Sequence, residues 1–382
     1  MAVRKRVWRS KNGLRREAWV VDYTDQAGDR HIETFARKKE ADAYHAKVDV
    51  DVRAGTHTAP SKSITVEQAA ENWVNSVALE QREVSTLQQY RQHSTHINMR
   101  IGNMKLSALT APGINNFKDD LLKTMSRPMA RKVLSSLKSM LRHAQASGAV
   151  AQNVALAVKI KANRRDKKKL EVGVDIPSSE EVKKIIAAAD GHSRPFLLTA
   201  IFTGLRSSEL RGLRWSDVDL KQGKLEVRQR ADRYGKIDSP KSEAGHRTVP
   251  LPPQVVQVLR EWKLQCPKGT GLVFPAVSGT TVALHNNTVR AFTAAVRAAG
   301  VIDNDGEPKY SGSHSMRHFY ASWCINPKNR GGLGLAPKEV QTLLGHSTIY
   351  GHLRASFSEQ RGRAQTLGGS GWRAFGRDIN AT

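Results

Sequence analysis

The sequence predicts a multidomain protein, mainly α-helical, with small β-sheets. Three observations carry this. At 382 residues the chain exceeds one ordinary domain, and a 39% hydrophobic fraction can fill two or three cores. Stretches that read as helices outnumber the short strand-like runs. A basic stretch without apolar period, Lys161 to Leu170 (KANRRDKKKL), separates helix-rich sequence on either side and reads as a linker.

The first segment, 1–60, opens the order of elements. Trp19-Val-Val-Asp-Tyr-Thr alternates like a strand, Asp25-Gln-Ala-Gly28-Asp supplies a turn, and Arg30-His-Ile-Glu-Thr-Phe35 is a second short strand. Lys38 to Ala54 then reads as a helix, ended by Gly55. A small basic sheet backed by one helix suits DNA reading, since a β-ribbon fits the major groove. It also suits a generic basic α+β module. The second segment, 63–160, is all helical. Thr65 is an N-cap candidate, Ser85 to Ile97 and Thr110 to Lys123 continue the pattern, and Pro128 to Ser147 ends at Gly148. Residues 161–173 form the basic linker, which either crosses a phosphate backbone or is plainly solvated. The third segment, 174–382, mixes helices and strands. Pro177-Ser-Ser-Glu-Glu opens a helix, Phe196 to Thr203 is nearly pure apolar helix, and Leu225 to Arg230 and Arg247 to Leu251 are strand-like.

Charge narrows the function. The formal net charge is +26, the footprint of a polyanion partner. No apolar run approaches the ~18 residues of a spanning helix, and no lipidation signal is present, so a membrane partner is not expected. The start, Met-Ala-Val-Arg-Lys-Arg, lacks an apolar signal-peptide core. The two cysteines, Cys266 and Cys324, are too few for a metal cluster and read as reduced packing residues. A cytoplasmic protein, in the bacterial cytoplasm or nucleoid, is expected.

Chemistry concentrates in five places. Arg206 follows a Gly-Leu step at the end of a buried helix, where a guanidinium costs desolvation unless an anion meets it. Taken alone, it pairs equally well with Glu209. Lys241, in Ser-Pro-Lys-Ser on an expected hairpin turn, is either an exposed turn lysine or a general acid for a leaving alkoxide. His314 and Arg317 are three residues apart and share one helix face, with His318 pointing elsewhere. His346 follows Gly345 at the end of an amphipathic helix, Lys338 to Leu344, where it can also interact with the helix dipole. Tyr350 offers a phenolic nucleophile. Two arginines from distant segments can hold one phosphate by planar, bidentate hydrogen bonds.

The segment carrying Thr-Gly-Leu-Arg206-Ser-Ser-Glu-Leu, Pro-Lys241-Ser with His-Arg-Thr-Val-Pro-Leu, His314-Ser-Met-Arg317-His, Leu-Gly-His346-Ser and Tyr350-Gly-His-Leu resembles the tyrosine recombinase (phage integrase) family. The resemblance extends more loosely to the first segment, similar to an arm-type α+β DNA-binding domain, and to the second, similar to a helical, SAM-like core-binding domain. It makes 174–382 the mixed α/β catalytic domain. It implies a site-specific recombinase that cleaves and rejoins DNA through a 3′-phosphotyrosine intermediate, to integrate or excise a mobile element. Arg206 and Arg317 would clamp the scissile phosphate, His314 and His346 would add hydrogen bonds and assist proton transfer, Lys241 would protonate the departing 5′-oxygen, and Tyr350 would attack phosphorus. The implied partners are double-stranded DNA at attachment-type sites, three further copies in a homotetramer, and accessory DNA-bending proteins. No cofactor and no metal are expected, because the arginines supply the positive charge.

One spacing departs from the family. The family tyrosine lies about nine or ten residues past this histidine, so a shortage of about five removes roughly 8 Å of helical reach. Here Tyr350 is four residues after His346, and no tyrosine follows. A gapless alignment would put Ser356 near the usual position. The alternative is therefore an integrase-like protein impaired in cleavage, with an architectural or regulatory role on DNA. A metal-dependent nuclease would need a carboxylate cluster that the sequence lacks.

Overall fold

A computed structural model of the chain describes residues 2–9, 12, 14–61, 63–161, 170–191, 193–269, 271–276 and 285–346. It is mainly helical with small sheets and divides into two compact units, 1–164 and 165–382. Among the described residues no helix is long and apolar enough to cross a membrane.

The first unit opens with three antiparallel strands, β1 (Ala2–Arg9), β2 (Arg15–Thr24) and β3 (Arg30–Phe35), in the order β1-β2-β3. Val3 pairs with Val21 and Trp19 with Phe35, so one face collects Val3, Trp19, Val21, Tyr23 and Phe35. That face packs on Ala41, Tyr44 and Val48 of α1 (Lys38–Arg53). Strand β1 is an addition to the two strands expected. Its run of arginine and lysine has no buried side, as suits a charged edge strand.

The helical part of this unit comprises α2 (Val66–Leu79), α3 (Val84–Ile101), α4 (Ala111–Thr124) and α5 (Arg127–Ala146). Thr65 caps α2 with a reciprocal box: its hydroxyl accepts from the Gln68 N–H (3.2 Å), and the Gln68 side chain accepts from the Thr65 N–H (3.0 Å). Thr110 caps α4 from one side only, its hydroxyl accepting from the Gly113 N–H (3.2 Å). Val133, Leu137, Met140, Leu141 and Ala144 line one face of α5 and are buried against Trp73, Ile97, Ile114 and Leu121. Between the sheet and these helices, His57 and Thr58 are tied on both sides. Gln26 Nε2 donates to the His57 carbonyl (2.7 Å), and the Ala151 N–H donates to Thr58 Oγ1 (2.9 Å).

The second unit contains α6 (Ser179–Ala188), α7 (Ser193–Thr203) and α8 (Ser207–Gly212), followed by short strands β4 (Val218–Asp219), β5 (Lys224–Val227), β6 (Arg230–Ala231), β7 (Ile237–Asp238) and β8 (Arg247–Pro250). The strands form an antiparallel sheet β4-β5-β8 and a hairpin β6-β7. The single strand expected over Leu225 to Arg230 is thus two, belonging to different sheets. Helices α9 (Pro253–Gln265), α10 (His285–Ala298), α11 (His314–Ile325) and α12 (Pro337–Leu344) complete the unit. Helix α7 is apolar all round because it is buried all round: Phe196, Leu197, Leu198, Ile201 and Phe202 pack among Val249, Leu259, Phe319 and Trp323. Of the linker expected over 161–173, residues 162–169 lie outside the described residues.

Candidate active site

The site is built where the buried helix α7 stops. Gly204 turns the chain with φ +60°, and a Cβ there would lie 2.3 Å from Tyr320 Cδ1 and 3.0 Å from Leu344 Cδ2. Only glycine meets both demands. The turn delivers Arg206 to the start of α8 and points the Gly204 carbonyl at Arg317, whose Nη1 donates to it at 2.5 Å.

The second half of the site is the C-terminal end of α12. A helix ends with carbonyls that have no partner within the helix. Here three successive carbonyls take three arginines. Arg247 Nε donates to Leu343 O (2.6 Å), Arg317 Nη2 to Leu344 O (2.5 Å) and Arg206 Nη2 to Gly345 O (2.9 Å). Gly345 closes the helix in the left-handed region, φ +62°. His346 follows directly, and its Nε2 lies 2.7 Å from Arg317 Nη2. A guanidinium only donates, so Nε2 accepts and the ring carries its proton on Nδ1.

Glu209 lies beneath the arginines, 2% exposed. Its Oε1 accepts from Arg206 Nη1 (2.7 Å) and its Oε2 from the Arg206 backbone N–H (2.8 Å). Arg247 reaches both oxygens, at 3.2 and 2.8 Å. Burial would raise the Glu209 carboxyl, but the Arg247 hydrogen bonds, with Arg206 added, hold it below the usual carboxylate value. Arg317 is 2% exposed, and there it is the charged form that is disfavoured. Burial, then repulsion from Arg206, lowers Arg317 from the ordinary guanidinium value. The excess positive charge is what an incoming anion would relieve.

An open cleft of about 410 Å³ gives access, lined by Arg206, Ser207, Arg211, Arg233, His314 and Arg317, among others. The surrounding protein, then Arg317 and Arg206, hold the His314 imidazole below its ordinary value, so it favours the neutral form. A neutral imidazole beside two guanidinium groups can donate one hydrogen bond to a phosphate oxygen.

Of the residues expected from the sequence, Arg206, Arg317 and His346 converge on one helix end, and His314 joins the first two in the cleft wall. Lys241 does not line the described cleft. It is exposed in the connection between β7 and β8 instead of on the hairpin turn. The reversal belongs to Asp232–Lys236, where Asp232 Oδ1 accepts from the Tyr234 and Lys236 N–H groups and Gly235 takes φ +88°. Tyr350 lies outside the described residues. His318 does not point away from His314: four residues apart on α11, their rings stack edge-on with centroids 4.5 Å apart.

Sequence reasoning missed Arg247 and Arg211. The signal for Arg247 was present, because period-two alternation along β8 puts it on the same side as Val249, and both are buried. Arg211 is 3% exposed and ties α8 to β6, donating to Ser207 Oγ (2.6 Å) and Ala231 O (3.0 Å). It lies five residues after Arg206, and nothing in the local sequence sets it apart from the other arginines.

The family model described as the phage integrase family matches residues 178–351. Residues 178–351 are a domain of the phage integrase family. The chain is 28% identical over 341 residues to a protein named tyrosine recombinase XerC-like from Caldanaerobacter subterraneus subsp. tengcongensis, covering 82% of this chain and 83% of that protein. It is 26% identical over 380 residues to an integrase of Streptomyces ambofaciens, covering 90% and 91%. Its fold is similar to a lambda integrase dimer bound to a COC′ core site, with a TM-score of 0.60, 18% identity, and 94% and 96% of the two chains covered. A lambda integrase tetramer bound to a Holliday junction aligns with a TM-score of 0.58, 18% identity, and 90% and 96% covered. The span matched to the family contains Arg206, Lys241, His314, Arg317, His346 and Tyr350.

Proposed function

We propose that this chain is a site-specific DNA recombinase that integrates or excises a mobile element by cleaving and rejoining DNA strands through a 3′-phosphotyrosine intermediate. The observation that carries the reading is the convergence of Arg206 and Arg317 on one helix end beside a single cleft, with His314 and His346 at hand. Two guanidinium groups there stabilise charge on the non-bridging oxygens of a phosphodiester as phosphorus becomes five-coordinate. In this reading the Tyr350 oxygen attacks phosphorus and the bond to the 5′-oxygen breaks. Lys241 supplies the proton to that oxygen, and the 3′-phosphate stays on the tyrosine. Attack by a 5′-hydroxyl reverses each step, so the phosphodiester energy is conserved without ATP.

The net charge of +26 supports a double-stranded DNA partner. Residues 1–60 take the arm-type role, with Arg4, Arg6 and Arg30 exposed on the sheet. Residues 63–160 take the core-binding role, 161–173 the basic linker and 174–382 the catalytic role. A homotetramer on paired sites, assisted by DNA-bending proteins, is the proposed working assembly. The protein acts in the bacterial cytoplasm.

A nicked suicide duplex carrying the attachment site tests the chemistry. The expected result is a protein–DNA adduct on a denaturing gel, formed without metal and absent from Tyr350→Phe. An adduct that persists in that variant overturns the assigned nucleophile. The four-residue step from His346 to Tyr350 favours a second reading, an integrase-like protein that occupies its sites without cutting. Demonstrable DNA binding with no adduct selects it.

A further inference from the structure

Arg247 touches neither the cleft nor, by its position on β8, any group assigned to the chemistry. Its side chain is 3% exposed, and its hydrogen bonds run to groups beneath the site. Nε donates to Leu343 O (2.6 Å), Nη1 to Gly245 O (3.0 Å) and Glu209 Oε1 (3.2 Å), and Nη2 to Glu209 Oε2 (2.8 Å). The guanidinium also fills the space that a side chain at Gly345 would need, since a Cβ there would lie 2.8 Å from Arg247 Nη1.

We infer that Arg247 is a positioning residue for the phosphate clamp: it aims Arg206 through Glu209 and seats the Gly345–His346 turn through the Leu343 carbonyl. The inference rests on the reading of Arg206 and Arg317 as a phosphate clamp. Glu209 has two oxygens, and each receives one donor from Arg206 and one from Arg247. Arg247 therefore fixes the carboxylate plane, and the carboxylate plane fixes the Arg206 backbone and guanidinium together. Arg247 also offsets the charge of Glu209. Without it the carboxylate would be left to Arg206 alone, and the charge of Arg206 would be spent inside the protein. At the other end, Arg247 holds the first of the three carbonyls whose successors hold Arg317 and Arg206. A lysine has no planar fork and cannot serve the carboxylate and the helix end at once.

The test uses two variants that keep the charge of the site constant. Arg247→Lys retains the cation but not the fork. Glu209→Gln combined with Arg247→Met removes one charge of each sign and leaves no lone buried ion. Inorganic phosphate is the probe, titrated against the full-length chain with histidine side chains labelled for NMR, following His314 and His346. The wild-type protein is expected to show saturable shifts at both rings. Folded variants are expected to bind phosphate about tenfold more weakly, the scale of one lost charge-assisted hydrogen-bond pair. Wild-type affinity in either variant overturns the positioning role and leaves the clamp standing. No response at His314 and His346 in the wild-type chain overturns the clamp, and the inference with it.

Discussion

The β1–β3 sheet and the α7–α12 cleft both depend on arginine, and they use it in opposite ways. On the sheet, Asp22 accepts from Arg4 (3.1 Å) and from Arg30 (2.8 and 2.5 Å), but the arginine side chains stay 60% and 65% exposed. In the cleft, Arg317 is 2% exposed and its donors meet backbone carbonyls and a histidine. Exposed charges act at a distance and are screened by salt within about 10 Å. A desolvated guanidinium acts only at close range, and there it acts strongly. On the proposed function, the exposed arginines would gather a polyanion and the buried ones would change its reactivity.

The largest expected effect is on the buried side. Arg317→Lys keeps the charge but loses the planar fork that meets Gly204 O, Leu344 O and His346 together. Adduct formation on the suicide duplex should slow by about 10²–10³-fold, with DNA affinity little changed. A comparable loss of affinity would break the division between gathering and reacting. Gly204→Ala comes next. The positive φ and the approach of Tyr320 should destabilise the chain by about 1–3 kcal/mol, read by urea unfolding. The adduct rate should fall as well, because the Gly204 carbonyl anchors Arg317.

Neutralising the sheet should do the reverse. Arg4→Gln, Arg6→Gln and Arg30→Gln together should flatten the dependence of log K on log salt by about 0.9 for each phosphate no longer neutralised. Cleavage at saturating DNA should stay at the wild-type rate. A slower saturated rate would show that the sheet also shapes the chemistry.

The smallest effect concerns pH. Burial holds His57 and His93 below the ordinary histidine value. The unfolded chain therefore binds protons at these positions at a higher pH than the folded chain does. Their contribution is complete above about pH 6.5 and is lost as pH falls below it towards the folded values. Thermal unfolding followed between about pH 7.5 and 5.5, the range that spans the ordinary histidine value, should show a falling midpoint. His93→Gln, which can keep a hydrogen bond to Ser136 Oγ without titrating, should shallow that fall. A midpoint independent of pH over this range would remove these two residues from the account.

Legibility in the sequence follows the range of the forces involved. The ends of α1, α2, α4 and α12 are readable because caps, glycines and apolar spacing act within a turn or two, as the Thr65–Gln68 box illustrates. Strand β1 is not, because an exposed edge strand lacks the alternation that reveals a half-buried one. Lys241 reads as a turn residue only while the turn chemistry of Asp232 and Gly235 is overlooked. Motif and order pick out Arg206, His314, Arg317 and His346. They do not reveal what these residues touch, since Gly204 O and Leu344 O are 113 and 27 residues from Arg317.

The sequence by itself determined the helix-rich plan, the basic charge that calls for a polyanion, and the identity of the polar groups brought to the site. Tertiary structure alone decided that three arginines end one helix, that Glu209 is shared between two of them, and that Arg317 sits out of water. The physical reason is one of distance along the chain. Propensity, capping and net charge are properties of neighbours and of composition, whereas the orphan carbonyls of α12 find their donors on α8, β8 and α11 only once those elements have packed.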